Sequence, residues 1–85
     1  MQDVKSHITQ PTGPVPKRGM DAARAGFKAS SNPHPHFSAE YFDWHSLWHD
    51  AMRLAAMRAG DHRSAALYEK LATDYARKAA GVGAL

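Results

Sequence analysis

Apolar residues recur at helical spacing in three stretches of the chain, and turn-forming residues separate them. The clearest stretch opens after Ser38, where Tyr41, Trp44, Trp48, Ala51, Met52 and Ala55 fall within one sector at 100° per residue. Asp43, Ser46, Asp50 and Arg53 fall opposite, Leu47 and Leu54 widen one edge of the apolar sector, and His45 and His49 form the other. Ser38 suits an N-cap, Phe37 is placed to close over Phe42 as a hydrophobic staple, and Gly60 suits the C′ position. The pattern predicts a helix over 39–59.

A second pattern begins after Asp61, itself a capping residue. Tyr68, Leu71, Ala72, Tyr75 and Ala79 make an apolar stripe, Leu67 lies at its margin, and Gly81 and Gly83 follow. A helix over 63–80 is expected, with Asp74 and Lys78 as an i,i+4 ion pair. Only Gly60 and Asp61 separate it from the preceding helix, so the two should be antiparallel neighbours.

The third pattern is shorter and lies upstream. Pro16 suits a helix start, and Met20, Ala23 and Phe27 recur at helical spacing, which predicts a helix over 17–29. Beside that stripe Gly19, Ala22, Ala23 and Gly26 form a strip almost without side chains. A glycine inside a helix costs about 1 kcal/mol relative to alanine. Two of them on one face imply that another element packs close against the backbone. Ser30 to His36 contains Pro33 and Pro35 and breaks the pattern, because each proline pushes the residue before it out of helical geometry. Residues 1–16 hold Pro11, Gly13, Pro14 and Pro16 with scattered apolar residues, and are expected to be a disordered tail. Nothing alternates with period two over a useful length. The expected architecture is therefore a small all-α, three-helix domain over 17–80, with a flexible C-terminus at 81–85.

Charge sharpens this picture. The chain of 85 residues carries a net charge of +3, and its first 30 residues account for all of it: Lys5, Lys17, Arg18, Arg24 and Lys28 against Asp3 and Asp21. Any electrostatic attraction to nucleic acid should come from this first third, with Lys17, Arg18, Arg24 and Lys28 as the contact residues.

Candidate chemistry is sparse. Cysteine is absent, which removes disulfides, thiolate metal sites and sulfur nucleophiles. His45 and His49 stand i,i+4 on one side of a helix and are weak metal-site candidates, joined in principle by His34 and His36. Ser46 follows His45, so the glutamate of a His-Glu-x-x-His hydrolase is missing. No Gly-x-Ser-x-Gly elbow and no Gly-x-x-x-x-Gly-Lys phosphate loop occurs. These absences argue against an enzyme and against a cofactor. Residues Met1 to His7 lack the apolar stretch of a signal peptide, and no run reaches the roughly 20 apolar residues of a membrane span. A cytoplasmic protein with no membrane partner is the expectation.

Taken together, the spacings resemble a known family. Gly19, Ala22 and Gly26, then Asn32 and Pro33, then Trp44, Trp48 and Ala51 follow in the order and at the intervals seen in the ribosome modulation factor family. The resemblance covers about residues 17–55. The chain differs from that family in having Leu47 before the second tryptophan and in being neutral after residue 30. What the resemblance implies is a non-catalytic helical protein that binds the small ribosomal subunit and its RNA and lowers translation during slow growth. The alternative expectation is a protein-binding adaptor or inhibitor of the kind carried by phages and other mobile elements. It would act through the neutral second and third helices and include a homodimer among its options.

Overall fold

A computed structural model describes residues 11–83 of the chain. Among these residues there are three α-helices, α1 (Gly19–Ala25), α2 (Ala39–Arg58) and α3 (His62–Gly83), and one 3₁₀ turn at Ala29–Ser31. The all-α expectation holds. The principal extents are 52 × 31 × 16 Å, so the helices lie in little more than one layer. Helix α2 is central, with α1 and α3 both packed on it. No helix among the described residues is long and apolar enough to cross a membrane.

Helix α1 is shorter than the predicted 17–29 because a cap stops it. Gly26 has φ 95°, in the left-handed region. The Gly26 N–H donates to the Ala23 carbonyl at 3.1 Å, and the Phe27 N–H donates to the Ala22 carbonyl at 3.0 Å. This is the paired bonding of a Schellman cap, with Gly26 at C′ and Phe27 at C″. Phe27 reaches the core from just beyond the helix, where it packs with Ala22 and Trp44.

Both ends of α2 follow the sequence. The Ser38 hydroxyl accepts from the Tyr41 N–H at 3.1 Å. At the other end the Gly60 N–H donates to Met57 and the Asp61 N–H to Ala56, at 3.0 and 2.9 Å, a second Schellman cap. The Asp61 carboxylate then caps α3 through the Ser64 N–H at 3.1 Å. The Ser64 hydroxyl, then this Ser64 N–H and lastly the nearby His62 hold Asp61 below the usual carboxylate range, against a smaller opposing effect of desolvation. Helix α3 continues past the expected stop at Ala80. Gly81 lies within the helix and Val82 is half-buried.

Two expectations are corrected here. Asp74 pairs with Lys70 at 3.2 Å, not with Lys78. Lys78 instead places its ammonium 5.3 Å from the Tyr75 ring centre and 5.9 Å from that of Phe42. The expected disordered tail also overlaps the fold, because Val15 packs on the core and the Pro16 carbonyl accepts a side-chain bond. Residues 1–10 of that expectation, and 84–85 of the expected C-terminus, lie outside the described residues.

Candidate nucleic-acid interface

Of the candidate basic residues Arg24 lies on α1 and Lys17, Arg18 and Lys28 lie on the chain flanking it, and that helix is held by its backbone. Gly19 is buried against α2, and a Cβ built there would collide with the Trp44 carbonyl and lie 2.8 Å from the Trp48 amide nitrogen. Only a glycine permits that approach. Ala22, one turn on, is fully buried. Gly26, by contrast, serves the cap: a Cβ there meets only the Pro11 ring, at 3.9 Å. The glycine strip therefore divides into two roles, one of close approach and one of backbone conformation.

The tryptophans complete the contact. Trp44, 1 % exposed, donates its indole N–H to the Pro16 carbonyl at 3.1 Å, just before α1. Trp48 donates to the Phe27 carbonyl at 2.9 Å, just after it. Buried indoles need a partner for this donor, and here each partner lies on the chain flanking α1. Of the remaining family-like positions, Pro33 is exposed in the connecting loop and Ala51 is half-buried on α2.

The α1–α2 connection is tied by Asn32. Its side-chain amide donates to the Tyr41 carbonyl at 2.9 Å, and its side-chain oxygen accepts from the His34 N–H at 3.0 Å. His34 in turn donates from Nε2 to the Lys17 carbonyl at 3.0 Å. The loop is thereby anchored to α2 and to the chain just before α1.

Lys17, Arg18, Arg24 and Lys28 are all exposed, and no one cleft gathers them. Lys17 and Arg18 border a cleft of about 390 Å³ whose walls also include His34, Glu40 and Asp43. Arg24 borders a separate cleft of about 320 Å³ with Ala51, Met52, Leu54, Ala55 and Arg58. Arg58, on α2, was not among the residues singled out from the sequence. Its only signal there was its place in the last turn of a helix.

The histidines lie elsewhere. His45 and His49 are 7 % and 8 % exposed and form the seam between α2 and α3. Tyr75 of α3 stacks on both, with ring centres 4.6 and 5.2 Å away and interplanar angles of 17° and 24°. His49 Nδ1 donates to the His45 carbonyl at 2.7 Å, which fixes its tautomer. His45 Nδ1 is buried with no hydrogen-bond partner among the described residues. Burial lowers the pKa of both below the usual histidine range. The neighbouring His49 lowers that of His45 further, and the bond to the His45 carbonyl partly opposes the shift at His49. Both imidazoles are thus favoured as neutral, stacked rings. Four converging imidazoles were a possibility in the sequence, but His34 is bound to the Lys17 carbonyl, and His36 is exposed and meets the Phe37 and Tyr41 rings. Among the described residues no three His, Asp or Glu side chains are grouped to hold a metal.

Ser46 also changes place. The helical wheel puts it with the solvent-facing residues, but its hydroxyl donates to the Ala72 carbonyl of α3 at 2.9 Å. Helix α2 has two buried faces, one of indoles towards α1 and one of imidazoles, Phe42 and Ser46 towards α3. No family model, no curated protein and no solved structure matches the chain.

Proposed function

We propose that this chain is a non-catalytic, ribosome-associated translation modulator that engages RNA of the small ribosomal subunit through Lys17, Arg18, Arg24 and Lys28. The supporting observation is the mode of α1 packing. Because Gly19 and Ala22 make the inward contact, the long cationic side chains on and beside α1 are left in solvent, where phosphates can reach them. The interlocked first two helices also suit the resemblance to ribosome modulation factors. Binding should show as co-sedimentation with the small subunit that weakens as salt rises, since phosphate contacts release counterions. Absence of co-sedimentation even at low salt rejects the reading.

A second reading, a protein-binding adaptor, draws on the cleft of Arg24 and Arg58. Its remaining walls are Ala23, Ala51, Met52, Leu54 and Ala55, a lining that suits an aliphatic side chain flanked by carboxylates. A pull-down from a host lysate that survives nuclease and raised salt favours this reading over RNA.

A further inference from the structure

Phe37 combines a strained backbone with an unburied side chain. Its φ is 67°, and it is the only non-glycine residue with positive φ among the described residues. The Ser38 N–H donates to the Pro35 carbonyl at 3.2 Å. Phe37 therefore occupies the third position of a tight turn, where a positive φ ordinarily selects glycine or asparagine. A residue with a Cβ is strained there. Burial does not repay the strain, because Phe37 is 69 % exposed. The staple expected over Phe42 is present but loose, at 6.1 Å between ring centres.

The surroundings indicate what such an exposed ring is for. His36, also exposed, lies 5.9 Å from Phe37 between ring centres, and Tyr41 lies 5.8 Å away. Through His34, bound to the Lys17 carbonyl, the same loop is joined to the chain that carries Lys17 and Arg18. Flat rings and exposed cations, joined here through His34, are the two components of single-strand recognition, stacking and phosphate attraction. Glu40 and Asp43 share the cleft with Lys17 and Arg18, and their carboxylates repel a phosphate placed within it, so only the outer side of the two cations is open to an RNA backbone.

We propose that Phe37, with His36 beside it, is a stacking platform for an unpaired nucleobase of single-stranded RNA whose backbone runs along Lys17 and Arg18. The proposal rests on the RNA-binding reading above and names the part of the RNA that is recognised. A buried protein contact is the competing use of an exposed phenylalanine.

The test is fluorescence anisotropy with a labelled oligoadenylate, using the full chain and two variants, alongside thermal melting. Phe37→Gly should leave the melting temperature unchanged or higher, because it relieves the backbone, and should weaken oligoadenylate binding roughly tenfold. Phe37→Trp, which keeps a ring at the site, should bind within about twofold of the parent chain. Equal affinity of Phe37→Gly and the parent overturns the platform, as does an absence of oligoadenylate binding by the parent. Loss of a nuclease-resistant protein partner in Phe37→Gly, with oligoadenylate affinity unchanged, also overturns it and assigns Phe37 to a protein contact. The ribosome reading fails separately, when the parent chain does not co-sediment with the small subunit.

Discussion

Trp44 and Trp48 stand one turn apart on α2 and grip the two ends of a single short helix. One indole bonds to the Pro16 carbonyl before α1, and the other to the Phe27 carbonyl after it. Helix α1 has seven residues, too few to persist alone in water. Its existence depends on this grip and on the close approach at Gly19.

Replacing either indole by phenylalanine should therefore cost more than the lost area. Each change leaves a carbonyl without its donor, a loss of about 1–3 kcal/mol where the site stays buried. Trp44→Phe should be the more damaging, since Trp44 is 1 % exposed and sits in the core cluster. Chemical denaturation of both variants measures the difference.

Gly19 and Gly26 should respond differently to the same substitutions. Gly26→Ala strains a left-handed cap by about 1–2 kcal/mol. Gly26→Asn should recover much of that, because asparagine tolerates this conformation. At Gly19 the obstacle is the α2 backbone, so alanine and asparagine should both destabilise, by at least the roughly 1–3 kcal/mol of an overpacked contact. Thermal melts of the four variants check the pattern.

The sequence made these relationships partly legible. Capping residues and prolines located α2 and α3 within a few residues, because Ser38, Gly60 and Asp61 act locally. The close approach of α1 to tryptophan could also be anticipated, since glycine in a helix implies a neighbour. Spacing could not distinguish Gly19 from Gly26, because a cap glycine and a packing glycine look alike until the helix end is known. The second buried face of α2 was hidden for another reason. His45, His49 and Ser46 read as edge or surface residues on any hydropathy pattern, and only Tyr75 and the Ala72 carbonyl make them interior. Lys17, Arg18, Arg24 and Lys28 looked like one group in sequence, whereas Lys17 and Arg18 border one cleft, Arg24 borders another and Lys28 borders neither.

Acid should loosen the α2–α3 seam. His45 and His49 have folded-state pKa values below the ordinary value of 6.5, so the unfolded chain binds more protons between the two. Their neutral stacking contributes fully above about pH 6.5, and stability falls as pH drops from there towards the lowered folded values. Tyr41, Tyr68 and Tyr75 face the pair, and the Lys78 ammonium over Tyr75 adds to the cost of a second positive charge. The melting temperature at about pH 5.5 should be below that at about pH 7.5, and a His45→Phe, His49→Phe double variant should lose most of that difference.

Charge reversal should separate the two clefts. Lys17→Glu with Arg18→Glu should weaken association with the small subunit and flatten its salt dependence, by a log–log slope of roughly 0.7 per lost contact to single-stranded RNA. Arg24→Glu should act additively if it meets its own phosphate, since it borders a different cleft. Salt titrations of co-sedimentation measure both effects.

The backbone-to-backbone seat of α1 on α2 is tested most directly by hydrogen exchange at the two indole N–H groups, read by NMR in the parent chain and in Gly19→Val. Both indole protons should be protected in the parent. Both should exchange fast in the variant, while amides along the α2–α3 seam stay protected. Indole protection that is the same in the two proteins would contradict the account.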